Sequence, residues 1–141
     1  NLIINKDIKI NATFEEESLY VNADKDAIER VVYNLLHNAI KFTPDKGTIF
    51  VDTRVYKDKV MVTIKDTGIG IEKDEIERVW ERFYKSDKSR SRDKTGTGLG
   101  LAIVRNIINE HNQEIWLESE PGKGTKFTFT LNKAQRQYLS E

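Results

Sequence analysis

The sequence predicts an α/β sandwich in which helices cover one face of a sheet. Short stretches alternate apolar and polar residues, two longer stretches carry apolar residues at helical spacing, and hairpin-length connections join many of them. No motif recurs with a period of roughly 20 to 50 residues, so a repeat architecture is not expected.

Residues 7–13 and 18–22 alternate apolar and polar, which predicts a short antiparallel pair around the acidic turn of Glu15, Glu16 and Glu17. From Asp24 or Asp26, acidic groups suited to a helix N-terminus, Ile28, Val31, Val32, Leu35, Leu36, Ala39 and Ile40 fall on one helical face. Pro44 and Gly47 end this helix. Ile49 to Val55 and Val60 to Lys65 alternate as two strands about a Lys57-Asp58 turn. Residues 72–83 look helical in part, with Ile76, Val79, Trp80 and Phe83 as their apolar positions.

Residues 84–98 differ in kind. They hold five Lys or Arg, two Asp and one aromatic, too little apolar surface to fix them in a core, so a flexible loop is expected. Helical spacing resumes through Leu99, Leu101, Ala102, Ile103, Ile107 and Ile108 and stops near His111-Asn112, where Asn tolerates a left-handed conformation. Strands at about 113–119 and 125–131 follow, parted by a turn over Pro121 to Gly124. The final residues, about 133–141, read as a polar tail or a helix stub. All 141 residues are expected to form a single domain.

Charge and composition exclude several functions. Twenty-three Lys and Arg balance twenty-three Asp and Glu, so no net field draws nucleic acid or anionic membrane to the molecule, and phosphate binding must be local. The absence of cysteine removes disulfides, thiolate chemistry and Cys-ligated zinc. The two histidines, His37 and His111, lack metal-ligand spacing and read as surface residues. The cluster of Lys85, Lys88, Arg90, Arg92 and Lys94 is diluted by Asp87 and Asp93 and has no interleaved aromatics, so nucleic acid is not an expected partner. No apolar run reaches the roughly 20 residues that span a bilayer, and the start lacks an apolar signal core, so the piece is expected to be soluble.

Three stretches suggest chemistry. Asn34, Asn38 and Lys41 fall within roughly 60° of one another on the first helix, bordering its apolar face, where two amide oxygens and an ammonium suit a hard cation with phosphate. A solvated helix flank is the alternative. Asp66-Thr67-Gly68-Ile69-Gly70-Ile71 follows a strand directly. Its carboxylate can accept from an exocyclic amine and its glycines allow close approach, although an ordinary strand-ending turn has the same look. Gly96-Thr97-Gly98-Leu99-Gly100 opens the second long helix, where free backbone N–H groups bind phosphate. It is neither a Rossmann turn nor a P-loop, and Gly122-Lys123-Gly124-Thr125 also fails the P-loop pattern because Leu117 stands where Gly is required.

Taken in order, N-L-L-H-N-A-I-K-F-T, D-T-G-I-G-I, E-R-F-Y-K, G-T-G-L-G-L-A-I and G-K-G-T-K-F-T-F resemble the N, G1, F, G2 and G3 boxes of the catalytic ATP-binding domain of two-component sensor histidine kinases. The resemblance covers residues 7–132. It implies the Bergerat fold, a mixed sheet of about five strands with three helices on one face and a flexible ATP lid, here about residues 84–98.

By that resemblance Asn38 coordinates magnesium, with Asn34 close to the metal and phosphates, and Lys41 contacts phosphate. These three are the implied catalytic residues. Phe42, often Tyr in the family, stacks on adenine; Asp66 accepts the adenine amine, while Gly68 and Gly70 let the base approach. Gly96, Gly98 and Gly100 form the lid hinge and phosphate-binding helix start, with Leu99 beside them. Lys85, Arg90 and Arg92 meet the γ-phosphate when the lid closes. In the gyrase-type and chaperone relatives a Glu four residues before the metal Asn activates water. Here that position is Asn34, which cannot act as a base, so phosphoryl transfer fits better than hydrolysis.

The implied partners are a phosphoacceptor helical hairpin of the same parent protein, absent from these residues, and a downstream response regulator. Neither His37 nor His111 is followed by the acidic residue that marks an acceptor, so the chain is expected to bind Mg-ATP without phosphorylating itself. It is expected to be a monomeric cytoplasmic piece of a homodimeric, optionally membrane-anchored parent. A free-standing anti-sigma-type serine kinase shares the fold, but a chain beginning in mid-strand like an excised domain favours the first reading. A regulatory nucleotide-binding module without catalysis is the third reading, and the intact glycines and Lys41 argue against it.

Overall fold

The computed structural model describes residues 6–16, 18–81 and 100–134. In chain order they form β1 (Lys9–Phe14), β2 (Val21–Asn22), α1 (Lys25–Phe42), β3 (Thr48–Tyr56), β4 (Lys59–Asp66), two 3₁₀ turns (Lys73–Glu75 and Arg78–Trp80), α2 (Gly100–Glu110), β5 (Ile115–Glu120) and β6 (Gly124–Lys133). The six strands make one mixed sheet in the order β1-β3-β4-β6, with β5 and β2 sharing the outer edge of β6.

The helices cover one face of this sheet, as the sequence predicts. Val31, Leu35 and Ala39 of α1 and Val104 and Ile108 of α2 meet Ile49, Ile64, Phe127, Phe129 and Leu131 in a continuous core. Burying side chains of this size contributes about 1.5–3 kcal/mol each, which is what holds two amphipathic helices flat on the sheet. Trp80, in the second 3₁₀ turn, sets its ring edge-on to Phe127 at 5.8 Å and receives the Arg105 guanidinium over its face at 5.4 Å.

Both long helices end as their sequences suggest. The Asp24 side chain caps α1 by accepting the Ala27 N–H at 3.1 Å. Asn112 is left-handed at φ 58°, and the Gln113 N–H reaches back to the Ile108 carbonyl while the Asn112 N–H reaches Asn109, closing the end of α2. The Lys57-Asp58 turn and the Pro121 to Lys123 turn stand where expected.

The strand pairing at the start of the chain is revised. The segments 7–13 and 18–22 do not pair with each other: β1 runs parallel to β3 and β2 antiparallel to the end of β6. The Glu15 N–H donates to Thr53 and its carboxylate accepts the Val55 N–H at 2.7 Å, holding the end of β1 along β3, while Glu17 of the expected acidic turn lies outside the described residues. The partly helical stretch expected at 72–83 gives two 3₁₀ turns over its described part, 72–81, while residues 82 and 83 lie outside the described residues; the described residues hold two α-helices and a six-stranded sheet, close to the expected architecture of three helices on about five strands. At the far end β6 runs to Lys133, whose N–H bonds Asp58, and residues 135–141 of the expected tail lie outside the described residues. The expected lid at 84–98 lies outside the described residues.

Candidate functional site

The C-terminal end of α1, the end of β4 and the start of β6 converge at one end of the sheet. Here Ile49, Asp66, Thr125 and Ser119 form a row across four strands, each opposite its neighbour. Opposed residues share a sheet face, and Ile49 belongs to the core beneath the helices, so Asp66, Thr125 and Ser119 also point to the helix side.

Asp66 is 4% exposed, an unusual place for a carboxylate. Its Oδ1 accepts the Gly68 N–H at 2.8 Å and the Thr125 N–H at 3.3 Å. Both bonds end on the same oxygen. Among the described residues Oδ2 has no partner, so it is the oxygen left for a ligand. Burial raises the Asp66 carboxyl above the ordinary carboxylate range, and the two backbone N–H groups only partly oppose this.

The loop that follows is clamped from two sides. A Cβ on Gly68 would collide with the Phe42 carbonyl at the end of α1, and the Ile69 N–H donates to that carbonyl at 3.4 Å. On the other side Gly70 has φ 76° and packs against the Glu120 carbonyl, the Gly122 N–H donates to Ile69 at 2.8 Å, and the Ile71 N–H donates to Ser119 Oγ at 2.8 Å. The space beside these two glycines is therefore filled by protein backbone, and their smallness serves the loop's docking.

On α1, Asn34, Asn38 and Lys41 are half-buried next to the fully covered Val31, Leu35 and Ala39, the border position that helical geometry predicts. Neither asparagine amide makes a hydrogen bond among the described residues. Lys41 places its ammonium 5.1 Å from the Phe42 ring centroid. Gly100 begins α2, and nothing lies within 4 Å of where its Cβ would stand. Lys85, Arg90, Arg92, Gly96, Gly98 and Leu99 lie outside the described residues.

Three residues at or near the site have no role assigned from the sequence. Thr125 and Ser119 join Asp66 only because β6 places them in its row. Lys6 donates to the Ile40, Lys41 and Thr43 carbonyls at 2.9, 3.0 and 2.9 Å, satisfying the exposed carbonyl end of α1 at the turn that carries Lys41 and Phe42. No local pattern signals a cap supplied from 34 to 37 residues away. His111 is likewise more than a surface residue. Its Nδ1 meets the Ile107 carbonyl at 2.9 Å, so Nδ1 carries the proton and Nε2 accepts the Asp24 N–H at 3.1 Å, linking the end of α2 to the cap of α1.

Residues 23–135 match the family described as histidine kinase-, DNA gyrase B-, and HSP90-like ATPase. Sensor histidine kinase WalK of Bacillus subtilis is 42% identical over 124 residues, covering 86% of this chain and 20% of WalK. The solved catalytic domain of histidine kinase ThkA superposes with a TM-score of 0.77 at 32% identity, over 91% of this chain and 82% of that one. ThkA has also been solved in complex with response regulator protein TrrA, with a TM-score of 0.74 at 30% identity over 90% of this chain and 34% of that one. The chain belongs to this ATPase family and, within it, to the ATP-binding catalytic domains of sensor histidine kinases. It spans about a fifth of the length of WalK.

Proposed function

We propose that the chain holds Mg-ATP with adenine at Asp66 and the phosphates along the Asn34 to Lys41 flank of α1 and the first turn of α2. In the whole protein it delivers the γ-phosphoryl group to a histidine on a helical-hairpin domain. The observation that supports the base assignment is the buried Asp66 carboxylate, whose Oδ2 has no partner among the described residues and is an acceptor that matches an exocyclic amine. Phe42 offers a ring face to the base, and Gly68 and Gly70 keep the Asp66 loop seated.

Asn34 and Asn38 are oxygen donors on one half-exposed flank, and no group of three or more His, Cys, Asp or Glu among the described residues competes for a metal. That donor set fits Mg²⁺, which keeps water and phosphate oxygens as most of its ligands. When bound, the ion supplies neutralisation of phosphate charge. Lys41 adds a fixed positive charge on the same flank. Gly96, Gly98, Leu99 and Gly100 serve as hinge and phosphate-binding helix start, and Lys85, Arg90 and Arg92 meet the γ-phosphate, by resemblance to the family.

Asn34 decides the reaction. An amide cannot take a proton from water, so the nucleophile is an acceptor imidazole, whose nitrogen lone pair forms the new P–N bond as the bond from γ-phosphorus to the bridging oxygen breaks and ADP leaves. The chain contributes positioning and charge. The response regulator seen with ThkA supports a response regulator as the downstream partner.

The test is label transfer from γ-labelled ATP with Mg²⁺, using this chain alone and a longer polypeptide that also carries the hairpin. Label is expected on a histidine only in the longer polypeptide. Release of free phosphate by both, with no labelled histidine, would overturn the assignment drawn from Asn34.

A further inference from the structure

Ser119 makes three hydrogen-bond contacts, and their directions are determined. Its hydroxyl meets the Gly124 carbonyl at 2.9 Å, which can only accept, so the Ser119 proton is committed there. The Ile71 N–H occupies one lone pair of Ser119 Oγ at 2.8 Å. The contact between Ser119 Oγ and Thr125 Oγ1 at 2.8 Å must then use the Thr125 proton. Ser119 is saturated, with one proton given and two lone pairs filled.

The consequence falls on Thr125. With its proton turned toward Ser119, Thr125 Oγ1 offers only lone pairs to the rest of its surroundings, directly opposite the Asp66 carboxylate on the neighbouring strand. We propose that Ser119 is a specificity-positioning residue, holding Thr125 as an acceptor beside Asp66 so that the site selects a purine bearing an amine at position 6 over one bearing an oxo group. This rests on the assignment of adenine to Asp66. Two acceptors side by side welcome N–H donors and oppose a carbonyl oxygen, whereas a freely rotating threonine hydroxyl would serve either base. Ser119 acts through Thr125 and also fixes the Ile71 N–H of the loop that Asp66 begins, so one side chain couples the β5–β6 turn to the base site.

The experiment measures binding of Mg-ATP and of Mg-inosine triphosphate, which differs in carrying an oxo group at position 6, by calorimetry on this chain and three variants. Ser119→Ala is expected to lower the preference for ATP by roughly threefold to tenfold, the range of one hydrogen bond, and Ser119→Thr to restore it. Thr125→Val, which leaves the other Ser119 contacts in place, should lower the preference by a similar factor and carries the test if Ser119→Ala does not fold. Equal weakening of both nucleotides in Ser119→Ala, or an unchanged preference in Thr125→Val, would overturn the proposal. Asp66→Asn separates the two levels: ATP binding at full strength in that variant would overturn the adenine assignment, whereas lost binding with unchanged preference in the other variants would overturn the role of Ser119 alone.

Discussion

Asp66 at the end of β4 and Thr125 at the start of β6 stand directly opposite each other, and the Thr125 N–H donates to Asp66 Oδ1 at 3.3 Å. This pairing places a carboxylate, 4% exposed at a strand end, among core residues with one oxygen engaged and, among the described residues, no partner for the other. The site thus holds a group that is costly to bury and useful to a ligand.

Asp66→Asn is expected to stabilise the nucleotide-free domain at neutral pH while abolishing most ATP affinity. The native carboxyl is raised by burial above the ordinary aspartate value of about 3.9, so in the window between that value and its native one the folded state binds more protons than the unfolded state. Stability from this group is therefore full below the window and lost as pH rises through it. Denaturant unfolding of both proteins from acid to neutral pH should show the variant's advantage growing across the window and then levelling; an advantage independent of pH would contradict the assignment.

Gly68→Ala should cost about 1–3 kcal/mol and weaken ATP binding, because the added methyl meets the Phe42 carbonyl, which is backbone and cannot swing aside. Urea unfolding and a nucleotide titration check both effects. Wild-type behaviour in the two assays would mean that the end of α1 and the Asp66 loop move apart easily.

Lys6→Met keeps much of the stem but removes the ammonium from three carbonyls. A loss of about 1–2 kcal/mol is expected, with a higher Kd for Mg-ATP because the loosened turn carries Lys41 and Phe42. Matched measurements of stability and Kd would show the two falling together. Unaltered Kd with reduced stability would confine Lys6 to a structural role.

His111→Phe removes the acceptor for the Asp24 N–H and should cost about 1 kcal/mol. Nucleotide affinity should hold, since His111 lies at the opposite end of α2 from Gly100, roughly 16 Å along an 11-residue helix. Thermal unfolding and calorimetry provide the two readouts.

Asn38→Asp adds a negative charge beside the proposed phosphates and should weaken Mg-ATP binding at least tenfold, the equivalent of about 1.4 kcal/mol. Unchanged affinity measured by calorimetry would remove Asn38 from the site.

The sequence by itself determined the elements whose pattern is local. Helical spacing placed α1 and its stripe of Asn34, Asn38 and Lys41, alternation placed β3 and β4, and Asn112 marked the end of α2, because each signal lies within a few turns or pleats of the residue it describes. The boxes also pointed to Asp66 and its glycines. Partnership was not legible in the same way. Alternation says that β1 and β2 are strands but does not name their neighbours, so their expected pairing gave way to β3 and β6. The 3₁₀ geometry of Arg78–Trp80 accompanies the docking of Trp80 on Phe127, a contact across the fold. Lys6 at the carbonyls of α1, His111 at the cap of α1, and the row of Asp66, Thr125 and Ser119 are decided by tertiary structure alone, since each depends on bringing distant backbone groups within hydrogen-bond distance, and no residue pattern of short range encodes that distance.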